Sequence, residues 1–139
     1  KMIRRTRHRW FLIHRYKDRV LLERRSAQGI WGGLWSLPEL EQLEDLADWQ
    51  VKKMGHSVSV TKMHSDYLQH SFTHFDLIMS IAEIEVGQDF IDKFEGRVSE
   101  KNNYCWVEKT ALEHHGMPAP IKKIVESFSG SRDHNSHTG

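Results

Sequence analysis

Residues 72–86 constrain the fold more than any other part of this sequence, because the segment is apolar at both alternating sets of positions. Successive side chains of a β-strand point to opposite faces of the sheet, so a strand with one solvated face alternates apolar and polar residues. A strand without this alternation is covered on both faces. The sequence therefore predicts a sheet in which residues 72–86 form a central strand between two packed layers.

Apolar runs elsewhere predict further strands. Residues 10–14 and 20–23 flank a charged segment, 15–19, which is typical of a β-hairpin with a charged turn. Residues 58–67 alternate moderately, and residues 103–107 predict one more short strand. Together with the central strand, these segments predict that a sheet forms the middle of the domain.

Two segments have the spacing of helices. Within residues 39–54 the apolar positions recur at intervals of three or four, which places them on one helical face, with acidic residues on the others. These positions are Leu40, Leu43, Ala47, Val51 and Met54. Pro38 suits the first turn of this helix, and Gly55 suits its C-terminal cap. Residues 119–128, entered through Pro120, predict a second helix. The predicted fold class is α+β, with a mixed β-sheet flanked by helices.

The first 25 residues are strongly basic. They contain ten Lys and Arg residues and two Asp and Glu residues, a local net charge of +8, whereas the whole chain has a net charge of +1. A polyanion is the natural partner of such a segment. A solvated segment whose arginines only keep the chain in solution is the alternative, and the sequence leaves both open.

One cysteine, Cys105, excludes an internal disulfide framework and a zinc or iron–sulfur cluster held by several cysteines of this chain. Because a lone thiol suits a reducing compartment, we expect a soluble, intracellular protein. The longest apolar run, residues 77–84, is far shorter than the roughly 20 residues of a membrane span. No signal peptide opens the chain. We therefore expect no contact with a membrane.

The two ends predict a piece of a longer protein. The chain begins at Lys1 instead of an initiator Met, and residues 130–139 are rich in Ser, His, Asn and Gly without apolar residues. Such a composition is typical of a disordered tail. For a chain of 139 residues we expect one folded domain.

Residues 70–75 read His-Ser-Phe-Thr-His-Phe and bring aromatic rings, imidazoles and hydroxyl groups into one short segment. Aromatic faces stack on bases and hydroxyl groups read base edges, so this segment has side chains suited to base recognition. A metal shared by His70 and His74 is not expected, because on an extended strand they stand about 13 Å apart. Phe72 and Phe75 also fit a hydrophobic core, and residue type alone favours the core.

The loop over residues 29–39 carries a first resemblance. Gly33, followed six residues later by Glu39, resembles the opening of the Nudix hydrolase signature. That family continues with an Arg-Glu pair and two adjacent glutamates on one helix, whose carboxylates converge on Mg²⁺. In this sequence the four positions hold Ala47, Asp48, Val51 and Lys52. Because lysine cannot coordinate Mg²⁺, the resemblance implies a Nudix-like fold without the metal site and without hydrolase chemistry.

Three segments in order carry a second resemblance: residues 31–35, 70–75 and 118–123. On a Nudix-like frame without its metal carboxylates, they resemble the C-terminal domain of the A/G-specific adenine DNA glycosylases, the MutY family, over about residues 10–128. The resemblance implies recognition of 8-oxoguanine opposite adenine in double-stranded DNA, in base excision repair. It also implies that a separate N-terminal domain removes the adenine and carries a 4Fe-4S cluster, while this chain is non-catalytic and holds no cofactor.

The same resemblance implies which residues bind the lesion. By position, Phe72, Thr73 and His74 correspond to the family's Phe-Ser-His loop, which contacts the damaged base. Thr73 replaces the usual serine and keeps a hydroxyl group that can accept a hydrogen bond from the N7–H peculiar to 8-oxoguanine. We predict that Phe72 stacks as a wedge, that His74 contacts phosphate or braces the loop, and that Phe75 lies in the core.

The resemblance also implies a division of the chain and its partners. Residues 1–8 are the basic end of an interdomain connector, residues 9–129 the Nudix-like lesion-recognition domain, and residues 130–139 the disordered tail. The partners are DNA with an 8-oxoguanine:adenine pair and the N-terminal catalytic domain of the same chain. In a bacterium the protein is expected in the cytoplasm, associated with the nucleoid.

Two alternatives stay open. One is a divergent Nudix hydrolase of an oxidised nucleotide such as 8-oxo-dGTP, which Val51 and Lys52 argue against. The other is a protein-interaction module that docks a partner on the exposed loop.

Overall fold

The computed structural model describes residues 3–94 and 103–136, with side chains described for residues 3–93 and 103–127. Within these residues, eight strands form one mixed sheet, and three α-helices pack around it. The strands are β1 (Arg5–Tyr16), β2 (Arg19–Arg24), β3 (Trp35–Ser36), β4 (Glu39–Leu40), β5 (Lys62–Met63), β6 (Leu68–Ser71), β7 (Phe75–Glu85) and β8 (Tyr104–Glu108). The helices are α1 (Leu46–Met54), α2 (Gln88–Phe94) and α3 (Ala119–Ser136), with short 3-10 helices at Leu43–Asp45 and Lys109–His114.

The sheet is centred on β1 and β7, which pair in parallel from Arg5 opposite Phe75 to Arg15 opposite Glu85. On the other side of β1, β2 forms the predicted antiparallel hairpin, and β8 pairs with β2. Beyond β7, strands β5 and β6 are antiparallel to it. Because parallel strands need a long crossover connection, β2 to β6 and α1 all lie between β1 and β7 in the chain.

Strand β7 is covered on both faces. The face toward α3 is filled by Leu77, Met79, Ile81, Ile121, Ile124 and Val125. The face toward α1 and α2 is filled by Ala82, Ile84, Leu46, Met54 and Phe90. Burying a large aliphatic or aromatic side chain stabilises a fold by about 1.5–3 kcal/mol, so these two layers hold the sheet. The predicted central strand is confirmed, and so is the α+β class with a mixed sheet flanked by helices.

A buried carboxylate ties β7 to β1. Glu83 is 6% exposed, and its Oε2 lies 2.6 Å from Nη1 of Arg15. Nη2 of the same arginine lies 3.7 Å from Oε1 of Glu85. An unpaired buried carboxylate costs several kcal/mol, so a shift of β7 against β1 would be penalised at this end of the strands.

The predicted helix over residues 39–54 is wrong in its first part. Glu39–Leu40 is strand β4, which pairs with β1, and the backbone N–H of Leu12 donates to the carbonyl of Pro38. Pairing with a central strand therefore overrides the local helical spacing. The predicted apolar face is also displaced, since Val51 is 53% exposed while Gln50 is fully buried. The predicted cap is confirmed, because Gly55 ends α1 with a φ of 77°.

Some of the remaining predictions of secondary structure are confirmed, and others are wrong. Strand β8 and the start of α3 at Ala119 are confirmed, whereas only Lys62–Met63 of the predicted strand over residues 58–67 is a strand, and α2 was not predicted. Residues 5–8, assigned to the connector, lie in β1, and the backbone of residues 130–136 is helical. The division of the chain into connector, domain and disordered tail stays a prediction. None of the helices in the described ranges combines the length and apolar composition that a membrane crossing requires.

A buried histidine joins β1 to α1. His14 is fully buried between the rings of Trp49 and Phe90, with centroid distances of 5.8 and 6.0 Å. The backbone N–H of Val58 donates to Oε1 of Gln50, so the amide Nε2 of Gln50 is the group that donates to Nε2 of His14, at 3.1 Å. The imidazole is therefore neutral, with its proton on Nδ1. Burial lowers the pKa of His14 from 6.5 to about 3.

We expect acid to destabilise the fold through His14. Between its ordinary pKa of 6.5 and its folded pKa of about 3, the unfolded chain binds a proton that the folded chain excludes. The contribution of His14 to the free energy of unfolding is therefore complete above about pH 7 and falls by up to about 1.4 kcal/mol per pH unit below 6.5. Urea unfolding between about pH 4.5 and 7.5 measures this slope.

The matched pair of variants is His14→Gln and His114→Gln, since His114 is exposed. The first should lose this part of the pH dependence and the second should keep it. A His14→Gln protein with the slope of the wild type would contradict the assignment.

Candidate nucleic-acid interface

Residues 70–75 form the tip of a hairpin. Strand β6 pairs with β7 up to Ser71 opposite Asp76, and the backbone N–H of Phe72 donates to the carbonyl of Phe75 at 2.8 Å. The expectation that His70 and His74 lie on one extended strand is therefore wrong, because the chain reverses between them. Among the described side chains, no group of three or more His, Cys, Asp or Glu residues is arranged to hold a metal ion.

The three predicted contact residues do not share one environment. Thr73 and His74 are exposed at the tip, whereas Phe72 is half-buried. The Phe72 ring stacks on Phe75 at 4.8 Å and meets the edge of His70 at 4.7 Å. Stacked and edge-on ring pairs add about 0.5–1.5 kcal/mol each beyond their buried area. The tip therefore presents two exposed polar side chains on an aromatic base.

That aromatic base continues into the core. Phe72 and Phe75 are both half-buried and pack against the core cluster under α3. Phe75 thus lies against the core as expected, and the stacking role of Phe72 stays a prediction. The ring of Trp31 also contacts that of Phe72, at a centroid distance of 5.5 Å. The guanidinium of Arg7 lies 4.1 Å from the centroid of Phe75.

The loop over residues 25–34 holds Trp31 in place by tight backbone packing. The N–H of Gly33 donates to the carbonyls of Arg25 and Ser26, and Nε of Arg25 donates to the carbonyl of Ile30. Trp31 itself has a φ of 56°, a left-handed conformation that is unfavourable for a large side chain. The contacts of the loop thus fix a strained residue against the hairpin.

The basic N-terminal segment reaches the hairpin directly. Arg4 donates to the backbone carbonyls of Phe72, Thr73 and Phe75 and forms an ion pair with Asp76 at 2.7 Å. The hydrogen bonds from Arg4 and Ser71 hold the pKa of the Asp76 carboxyl below its usual value. Neither Arg4 nor Arg7 could be singled out from the sequence, since no local pattern indicates which strand β1 pairs with.

A second polar region lies where the Nudix signature opens. Glu39 pairs with Arg25, and its Oε2 lies 3.7 Å from Nε of Arg9. Glu39 and Glu23 line a polar cavity of about 250 Å³ with Arg24 and Arg25. Burial raises the pKa of Glu23, which also accepts a hydrogen bond from Tyr104. The two carboxylates are thus already matched by cationic or hydroxyl partners.

Comparison with known proteins gives a consistent result. The family model described as the NUDIX domain matches residues 9–127. The chain belongs to the NUDIX domain family.

An adenine DNA glycosylase of Buchnera aphidicola from Acyrthosiphon pisum is 28% identical over 119 residues, covering 86% of this chain and 32% of that protein. The corresponding protein from Schizaphis graminum Buchnera is 26% identical over 121 residues, covering 86% and 33%. The chain therefore spans about a third of the length of these curated relatives.

Solved structures show the same fold at low sequence identity. The C-terminal domain of mouse MUTYH, crystallised with human PCNA, has a TM-score of 0.67 and 14% identity, covering 91% of this chain and 89% of that one. The MutT protein of Methanosarcina mazei has a TM-score of 0.65 and 18% identity, covering 95% and 99%. The predicted Nudix-like fold and the predicted resemblance to the C-terminal domain of the adenine DNA glycosylases are confirmed.

This NUDIX domain lacks the donor set for the signature's metal. The positions of the paired glutamates on α1 hold Val51 and Lys52, both exposed, and neither side chain supplies an oxygen. Magnesium takes oxygen ligands in near-octahedral geometry. The residues present therefore do not fit a Mg²⁺ site of the signature type, and the hairpin tip is the stronger candidate site.

We expect Gly32→Ala to destabilise this NUDIX domain, because an added Cβ would lie 2.3 Å from the backbone oxygen of Ala27. The overlap displaces the loop that carries Trp31, and the free energy of unfolding should fall by about 1–3 kcal/mol. Gly87→Ala is the matched control, since its Cβ meets nothing within 4 Å, and it should change stability by less than about 0.5 kcal/mol. Urea unfolding compares the two, and equal stabilities would contradict the tight packing.

Proposed function

We propose that this chain is the lesion-recognition domain of an adenine DNA glycosylase. In this proposal the domain reads 8-oxoguanine opposite adenine in double-stranded DNA, and a separate N-terminal domain hydrolyses the N-glycosidic bond of the adenine. Support comes from the curated relatives, which are adenine DNA glycosylases matched over about a third of their length. The domain acts in recognition and supplies no catalytic residue.

The observation that carries the proposal is the braced hairpin tip. Thr73 and His74 are exposed beside one another, and the backbone beneath them is held by Arg4. A hydroxyl oxygen accepts hydrogen bonds, and 8-oxoguanine presents an N7–H donor where guanine presents an acceptor. Thr73 is the proposed reader of that proton, His74 supports it at the phosphate or the loop, and Phe72 offers the exposed part of its ring for stacking.

The ligand requirement of a 4Fe-4S cluster is consistent with this division of labour between two domains. A 4Fe-4S cluster takes four cysteine thiolates, and the chain has one cysteine. The residues present therefore do not fit the cluster, which under the proposal belongs to the catalytic domain. In a bacterium, an enzyme of this kind works in the cytoplasm on the DNA of the nucleoid.

Replacing both exposed side chains tests the proposal. In the full-length glycosylase, Thr73→Val combined with His74→Ala should lower the preference for 8-oxoguanine:adenine over guanine:adenine by roughly tenfold, because the hydrogen bonds to the lesion are lost. Single-turnover rates of adenine excision on the two duplexes measure this preference.

The matched control is Thr110→Val with His114→Ala, the same two changes at exposed positions of the 3-10 helix before α3. The control should keep the preference. An unchanged preference in the Thr73/His74 variant would overturn the assignment of the tip. Pyrophosphate release from 8-oxo-dGTP by this chain with Mg²⁺ would favour a hydrolase instead.

A further inference from the structure

Arg4 contacts four acceptors that all belong to the hairpin tip. Its Nη2 lies 2.7 Å from the carbonyl oxygen of Phe72, 3.1 Å from that of Phe75 and 2.7 Å from Oδ1 of Asp76. Its Nη1 lies 3.1 Å from the carbonyl oxygen of Thr73. One side chain, positioned just before β1, thus spans the whole turn between β6 and β7.

The geometry suits a guanidinium and not an ammonium. A guanidinium offers five N–H donors in a fixed plane, so it can serve several carbonyls whose directions are set by a turn. A lysine ammonium is a point charge on a flexible stem and has three donors. Asp76 holds the guanidinium from the strand side, and the hydroxyl of Ser71 hydrogen-bonds the same carboxylate.

The contacts fix the backbone beneath the exposed side chains. The carbonyl of Phe72 belongs to the peptide bond that leads into Thr73, and the carbonyl of Thr73 belongs to the one that leads into His74. Both terminal nitrogens of Arg4 contact the tip, and three of the four acceptors share the two N–H groups of Nη2. Arg4 is therefore placed to shape the tip, and a phosphate that drew Nη2 away would have to compete with the turn for it.

We propose that Arg4 is a positioning residue that holds the lesion-reading tip in its binding conformation before DNA arrives. The inference rests on the proposed function. Under this inference, the basic segment stabilises the tip through contacts inside the protein, in addition to any attraction of its positive charge to DNA phosphates. In the full-length enzyme, the segment that leads from the catalytic domain would then also set the shape of the reader.

The expected loss of lesion affinity depends on the fraction of time that the tip spends in its binding conformation. If a tip without its brace spends about a tenth of its time in the binding conformation, the apparent affinity for the lesion falls about tenfold. Binding to DNA without the lesion depends less on the tip and should change little. The preference for the lesion therefore falls, while background excision on guanine:adenine is kept.

The experiment compares Arg4→Lys, Arg4→Ala and the control Arg5→Ala in the full-length glycosylase, since Arg5 is an exposed basic neighbour in β1. Excision on the two duplexes gives the preference, and lesion affinity at several salt concentrations gives the salt slope. Hydrogen exchange of residues 72–76 reports on the tip itself. Both Arg4 variants should lose the preference several-fold and exchange faster at the tip, and Arg5→Ala should do neither.

The outcomes separate the possible failures. If Arg4→Lys keeps the preference while Arg4→Ala lowers the salt slope by about one, Arg4 is a phosphate contact and the positioning role is wrong. If both Arg4 variants keep a preference that the wild type shows, the inference fails and the proposed function stands. If the wild type shows no preference, the proposed function fails, and unchanged exchange at the tip would also overturn the brace.

Discussion

The parallel pairing of β1 with β7 is the interaction on which the rest of the structure depends. It provides the two-sided surface onto which α3 packs from one side and α1 and α2 from the other. The Arg15–Glu83 ion pair stabilises its register at one end, and Arg4 meets the start of β7 at the other. The same pairing that builds the core therefore also brings the basic segment to the hairpin tip.

Elements that depend on local pattern could be predicted from the sequence. Strand β7 is apolar on both alternations, the β1–β2 hairpin is bounded by a charged turn, and Gly55 ends α1 with a left-handed conformation. Strand β4 at Glu39–Leu40 could not be predicted from local spacing, because it forms by pairing with the distant strand β1. The buried face of α1 was misplaced for a related reason, since Gln50 is buried only because His14 and Val58 satisfy its amide.

The candidate site could likewise be predicted only in part from the sequence. The composition of residues 70–75 was enough to select the segment, and family resemblance selected Phe72, Thr73 and His74 within it. The contacts that shape the tip could not be predicted from the sequence, because Arg4 and Phe75 lie 71 residues apart. Trp31 contacts the ring of Phe72, so its packing is part of the candidate site.

Arg4 holds the tip by three backbone carbonyls, and a carbonyl is present whatever side chain a residue carries. The brace is therefore indifferent to the identity of the residues at positions 73 and 74. Side chains there can be exchanged without loosening their support, in the way that antibody loops vary on a constant framework. The hairpin therefore offers a fixed backbone on which its two exposed side chains can be varied by engineering.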